Sequence, residues 1–207
     1  MKLAVFDFDS TLMDGETIDF IAKEANVYDE VSAITSSAMN GKLDFFESLS
    51  QRVLLLKGLN INIVNKVCQN LPFNKGAKET ISALKQKGYK VICLSGGFDN
   101  ATSYASKVLG LDASFSNYFY HKDSILTGQV GGAMMFGESK KEMILKIQAL
   151  LNISKNDTIA IGDGANDLSM FEVSGLKIAF CAKEVLKKAS DVQINTKDLS
   201  LILEHIK

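Results

Sequence analysis

Apolar positions in this chain follow two patterns. Between residues 13 and 71 only helical spacing is found, with no convincing strand. Helices are expected at about 16–24, 28–39, 43–57 and 61–70, with Gly41 and Gly58 as stops between them. The single proline, Pro72, falls where this block ends. On either side of it, short apolar runs appear. The first, 3–8, reads as a buried strand. After residue 72 strands alternate with helices. A helix at 77–87 stops at Gly88, and a strand at 90–94 runs into Ser95-Gly96-Gly97. A helix at 100–109 stops at Gly110, and a hairpin is expected from 115–121 and 125–130. The helix at 139–151 carries Met143, Ile144, Ile147, Leu150 and Leu151 at helical spacing. Then follow strand 158–161, helix 166–173, strand 176–180, helix 183–189, a weak strand at 192–194 and an amphipathic helix from about 199.

Alternation of this kind predicts an α/β fold, a Rossmann-like, mostly parallel sheet flanked by helices. The helical block interrupts it just after the first strand. Residues 1–12 and 72–207 are therefore expected to form the α/β core domain, with 13–71 a helical cap over the strand's carboxyl end.

Composition narrows the class. The 207 residues, 46% hydrophobic and 23% charged, suit one globular domain with or without an insertion. A net charge of −1 gives no electrostatic footprint for nucleic acid or an anionic membrane. The first apolar run is too short, and too soon broken by Asp7, for a signal peptide or membrane span. Cys68, Cys93 and Cys181 are scattered in apolar runs and read as reduced and structural; His121 and His205 are isolated. A cytoplasmic protein is expected. The basic residues are 22 lysines and one arginine, Arg52. A planar bidentate clamp on a carboxylate or phosphate calls for arginine. Arg52 shares its helix face with Phe45, Leu49 and Leu56, so it is expected to point with the apolar side toward a partner or polar cavity.

Four strand or helix ends carry polar residues of one kind. Asp7 and Asp9, two apart at the end of the first strand, should project to one side, opposite Phe6 and Phe8. Two like charges there need a cation or a shared proton. Ser95-Gly96-Gly97 adds a hydroxyl and glycine amides, Lys140 a cation in the first turn of its helix, and Gly162-Asp163-Gly164-Ala165-Asn166-Asp167 more acid groups. These are the parts that phosphoryl transfer needs. Singly each has a plain alternative: a capping Asp, a turn, a solvated lysine. A dinucleotide site at residues 162–167 lacks its third glycine and is acidic where pyrophosphate would sit.

Together, Asp7-Phe8-Asp9-Ser10-Thr11-Leu12, Ser95-Gly96-Gly97, Lys140 and Gly162-Asp163-Gly164-Ala165-Asn166-Asp167 resemble the haloacid dehalogenase-like superfamily of phosphatases. Glu16-Thr17-Ile18-Asp19, Gly41-Lys42-Leu43, Phe98-Asp99 and residues 175–180 look like its phosphoserine phosphatase branch, and the similarity covers essentially the whole chain. Lys141, where the family often has glycine, is a departure. The resemblance implies Mg²⁺-dependent hydrolysis of O-phospho-L-serine to L-serine and phosphate, the last step of serine biosynthesis. It implies Asp7 as the nucleophile forming an aspartyl-phosphate and Asp9 as general acid and base. Mg²⁺ would be held by Asp7, the backbone carbonyl of Asp9, and Asp163. Ser95, Gly96, Lys140 and Asn166 would hold the phosphoryl group, with Gly97 beside them, and Asp167 would orient Lys140 or the metal's waters. Glu16 and Arg52 would take the amino-acid end, with Met39 and Phe45 closing around it. The partner is a small molecule, with no nucleic acid or membrane, in a monomer or homodimer. Two rivals stand beside this: a relative acting on another small phosphomonoester or acceptor, and a phospho-accepting signalling module in which Asp9 would have no task.

Overall fold

The protein, seen as a computed structural model, is described for residues 1–39 and 43–206, Met39 by its backbone alone. Gly41, Lys42 and the side chain of Met39 therefore lie outside the described residues. A seven-stranded sheet runs in the order β4-β3-β2-β1-β5-β6-β7. Its strands are β1 (Lys2–Phe6), β2 (Tyr89–Phe98), β3 (Ala113–Lys122), β4 (Ile125–Gly132), β5 (Thr158–Gly162), β6 (Leu176–Phe180) and β7 (Val192–Ile194). Every neighbouring pair is parallel except the β3–β4 hairpin. The α/β, mostly parallel architecture expected from the alternation is what the chain forms.

The apolar run of β1 is explained by its central place, covered on both faces. Ala4 and Phe6 face one core together with Ile81 and Leu84 of α5 (Ala77–Gln86) and Ala101 and Ala105 of α6 (Asp99–Leu109). Leu3 and Val5 face the other, against Ile144 of α7 (Ser139–Leu151) and Met170 and Phe171 of α8 (Leu168–Glu172). Leu186 of the short α9 (Glu184–Lys187) completes that second layer.

Four helices lie between the turn after β1 and α5: α1 (Thr17–Glu24), α2 (Tyr28–Met39), α3 (Phe45–Leu55) and α4 (Ile61–Cys68). The segment leaves and rejoins the sheet at one place. Asp14 N–H donates to the Pro72 carbonyl and Asn74 N–H to the Leu12 carbonyl, each at 2.9 Å, flanking a Met13–Phe73 bridge. The Asn74 side chain adds a bond to the Thr11 carbonyl at 2.8 Å. A second attachment is the hairpin tip. The α3–α4 connection bonds there through Gly58 N–H to Leu126 O (3.0 Å), Ile61 N–H to Ser124 O (2.8 Å) and Leu126 N–H to Leu59 O (2.9 Å). At its other end α3 starts with a capping box, Asp44 with Glu47, and its Phe46 ring stacks on Phe136 with centroids 5.6 Å apart.

Several elements differ from expectation. β1 ends at Phe6, two residues early, because residues 8–12 coil into a π-type turn with Ser10 at φ 58. Asp9 therefore sits on a turn, out of strand alternation with Asp7. Strand β2 begins one residue early and stays extended to Phe98, its pairing with β3 shifting register between Leu94 and Phe98. Ser95-Gly96-Gly97 is thus an extended segment that slips its ladder, and no turn. The helix expected at 166–173 opens with a tight 3₁₀ turn, Ala165–Asp167, before α8. The helix expected at 183–189 shortens to α9. The last element is a 3₁₀ helix, Leu199–His205. No described helix is long and apolar enough to cross a membrane.

Candidate active site

Parallel strands place their carboxyl ends on one edge, and the chemistry-bearing residues converge there. Asp7, one residue past β1, is buried, and its Oδ1 accepts from Lys140 Nζ at 2.6 Å. The same ammonium donates to Asp167 Oδ1 at 2.5 Å. All three side chains are nearly sealed from solvent, so the triple pairing is what makes their burial tolerable. Lys140, and not Lys141, is the inward lysine; Lys141 lies outside, bonded to Glu172 at 2.6 Å. Burial alone would lower the Lys140 pKa, but Asp167 and Asp7 outweigh it and hold the proton in place.

Asp167 spends both oxygens. Its Oδ2 accepts from the amides of Asp163 (3.0 Å) and Gly164 (3.1 Å), closing the loop after β5. One carboxylate oxygen each from Asp7, Asp163 and Asp167 lies within 4.8 Å of the others. Burial, then the Asp167 charge, pushes Asp163 up to about 7 and raises Asp7 as well, against the pull of Lys140. A cluster of carboxyls that resist ionising side by side is what a hard divalent cation with oxygen ligands would relieve. Asp167 already accepts from Lys140 and two amides, which leaves Asp7 and Asp163 as the less committed carboxylates of the cluster.

Asp9 is fixed differently. Oδ1 accepts twice from Thr17 at the start of α1, from N–H at 2.7 Å and from the hydroxyl at 2.5 Å. Oδ2 faces the Ser95 hydroxyl at 3.4 Å. Burial raises the Asp9 pKa although the Thr17 bonds oppose it. Ser95 Oγ in turn accepts from Gly97 N–H at 2.9 Å. The two glycines here have no room for a side chain: a Cβ on Gly96 would lie 2.6 Å from the Phe45 ring, and one on Gly97 2.6 Å from Asp9 Oδ2.

These residues floor a cavity of about 530 Å³ that α2 and α3 roof over. Asp7, Asp9, Asp163, Gly96 and Asn166 line the floor; Glu16, Phe45 and Arg52 line the side beneath the helices. Glu16 accepts from Ser10 Oγ at 2.8 Å, and burial, then the nearby Asp9 charge, pushes its pKa up to about 8. Arg52 is half-buried, and its Nε donates to the Ser48 carbonyl at 3.1 Å. Burial lowers its pKa while Glu16, Asp19 and Asp9 pull the other way, so the guanidinium faces carboxylates across the cavity.

Asp7, Asp9, Glu16, Phe45, Arg52, Gly96, Gly97, Asp163 and Asn166 thus line one space, with Ser95, Lys140 and Asp167 bonded behind them. Three residues were missed. Thr17 was signalled only as a hydroxyl at the first position of α1. Lys183 lines the cavity, and its N–H donates to the Asp163 carbonyl at 2.8 Å. Asn117 is buried in β3, where it stood among other polar residues and gave no separate signal.

A sequence model of the haloacid dehalogenase-like hydrolases matches residues 1–175. The phosphoserine phosphatase of Wolinella succinogenes is 56% identical over 206 residues, covering 100% of both chains. Among solved structures, a phospho-aspartyl intermediate analogue of phosphoserine phosphatase superposes with a TM-score of 0.95 at 50% identity, covering 100% of this chain and 99% of that one. A substrate-bound phosphoserine phosphatase complex gives the same TM-score and identity, covering 100% and 98%.

Proposed function

The chain belongs to the haloacid dehalogenase-like hydrolases, and from that premise we propose a phosphatase that converts O-phospho-L-serine to L-serine and phosphate through an aspartyl-phosphate, closing serine biosynthesis. One observation carries it. A carboxylate held by a buried lysine lines the same cavity as the chain's lone arginine and an acid. Residues 1–12 and 72–207 act as the core domain and 13–71 as its cap.

Asp7 is the nucleophile: a carboxylate oxygen attacks phosphorus, and the bond from phosphorus to the serine oxygen breaks. Lys140 keeps Asp7 aligned and offers positive charge to the phosphoryl oxygens, with Asp167 fixing the lysine in turn. Ser95, Gly96 and Asn166 complete the phosphoryl cradle, and Gly97 holds the Ser95 hydroxyl. The leaving oxygen takes its proton from Asp9. Thr17 occupies Oδ1, which leaves Oδ2 to carry the proton, and burial favours the protonated form. Asp9 then removes a proton from the water that cleaves the phosphoenzyme and frees Asp7. Asp7, Asp163 and the Asp9 carbonyl would hold Mg²⁺, which would supply neutralising charge to the phosphoryl group. Arg52 and Glu16 pair with the carboxylate and ammonium of phosphoserine, and Phe45 covers it from above.

Phosphate release from a panel of phosphomonoesters with Mg²⁺ tests the proposal. Phosphoserine should lead the panel, and Asp7→Asn, nearly isosteric but a poor nucleophile, should remove turnover from a folded protein. A folded Asn variant with substantial activity would sink the covalent route.

A further inference from the structure

Asn117 is fully buried in β3, yet its side-chain amide serves two separate loops of the site. Nδ2 donates to the Gly96 carbonyl at 3.0 Å and to the Met134 carbonyl at 3.1 Å. Oδ1 accepts from Met134 N–H at 2.9 Å. Gly96 belongs to the extended segment that slips out of the sheet ladder after Leu94, so its carbonyl finds in Asn117 the partner that a strand neighbour would have supplied. Met134 lies on the run from β4 toward Lys140. The approach is tight: opposite Asn117 stands Gly132 at φ 144, where a Cβ would fall 2.6 Å from Asn117 Oδ1.

The bond to Gly96 acts on a single peptide plane. Asn117 takes the carbonyl of the Gly96–Gly97 peptide while the N–H of that same peptide donates to Ser95 Oγ, 2.9 Å away. A planar unit gripped at both ends cannot rotate. Its orientation fixes the Ser95 hydroxyl, which lies 3.4 Å from Asp9 Oδ2. We propose that Asn117 is a positioning residue for the phosphate end of the site, locking the Gly96–Gly97 peptide so that Ser95 and Gly96 meet a phosphoryl group in one arrangement. It does not touch the ligand. The proposal rests on the phosphatase reading only in taking Ser95 and Gly96 as the phosphoryl cradle.

The test uses the full chain with Mg²⁺ and two variants. Asn117→Leu has similar volume and no hydrogen bonds. Asn117→Asp keeps an acceptor for Met134 N–H but loses both donors, and it preserves the anchored loop if the leucine variant folds poorly. Binding of inorganic phosphate, measured by calorimetry, is compared with kcat and KM for phosphoserine. A misaligned cradle should weaken phosphate binding roughly 10-fold or more in both variants, with a parallel rise in KM. A merely structural role would lower kcat through a reduced active fraction and leave the phosphate Kd unchanged, and that result overturns the proposal. So does an aspartate variant that binds phosphate as the wild type does. If the wild type hydrolyses no phosphomonoester, the proposed function fails on its own, while the phosphate Kd still decides the role of Asn117.

Discussion

Selectivity for an amino-acid phosphate should collapse when Arg52 is truncated. Nε is already committed to the Ser48 carbonyl at 3.1 Å, which locks the plane of the guanidinium. The terminal N–H groups remain to grip a carboxylate as a fork. A hydrogen bond to a charged group contributes about 1.5–3 kcal/mol. Two such bonds would sum to more, but Arg52 is only half-buried, and water would replace part of what a truncated side chain gives up. One bond's worth is the reasonable net, a factor of about 10–200 in kcat/KM. The assay sets phosphoserine against a phosphomonoester without a carboxylate, both with Mg²⁺. Arg52→Ala should cost the first substrate that factor and leave the second within about threefold. Arg52→Lys should recover only part, since an ammonium has neither the fork nor the tie to Ser48. Equal losses on both substrates would make Arg52 a structural residue and remove the physical support for phosphoserine.

Asp9→Asn should lose about 10²–10⁴-fold on phosphoserine, yet a nitrophenyl phosphate, whose leaving group needs no proton, should form phosphoenzyme in a burst and then stall. Equal loss on both substrates without a burst would refute the two-step proton role. Glu16, pushed up to about 8 by burial and the Asp9 charge, must ionise to pair an ammonium. The kcat/KM for phosphoserine should therefore rise from pH 7 to 8.5, and Glu16→Gln should flatten that rise while lowering it. Asp163, raised to about 7 in the folded chain, binds more protons there than in the unfolded chain between about pH 4 and 7. Its contribution to the stability of the metal-free protein thus falls as pH climbs through that window, and is fully unfavourable above it. Asp163→Asn should raise the metal-free Tm at pH 8 while abolishing the stabilisation by Mg²⁺. In the wild type the Tm increment from Mg²⁺ should grow from pH 6 to pH 8, and a constant increment would contradict the assignment.

Much of the site was legible because each part lies beside a change of element. Asp7 follows an apolar run, Lys140 opens a periodic helix, and Asp163 follows β5. The inward register of Lys140 could be read from Met143, Ile144 and Ile147 because helical spacing ties a polar residue to its apolar neighbours. Arg52 was legible on the same ground. Asp9 was misplaced because alternation was carried past Phe6, and nothing local announced that Ser10 would take a positive φ. That turn is stabilised by Thr17, eight residues on from Asp9, and from a distance by Asn74, which no window of neighbouring residues contains. Asn117 was invisible for a related reason: a buried polar residue in a strand acquires meaning only from what the sheet places opposite it. The terminal helices came out shorter or tighter than periodicity implied, since amphipathic spacing over four to seven residues does not separate α from 3₁₀.

The paired bonds at Leu12–Asp14 and Pro72–Asn74 bear on how the roof can move. Leu12–Asp14 lie three to five residues from Asp9 along the chain, while the second attachment, at the hairpin tip, holds the C-terminal end of α3, with Phe45 and Phe46 a helix length away from it, about 16 Å. In mechanical terms the roof is a plate hung on two pins, and it turns about the line that joins them. A tilt about that line sweeps the two phenylalanines, a helix length from the second pin, through a wide arc and Asp9, beside the first, through a short one. The door can swing without shaking the bench.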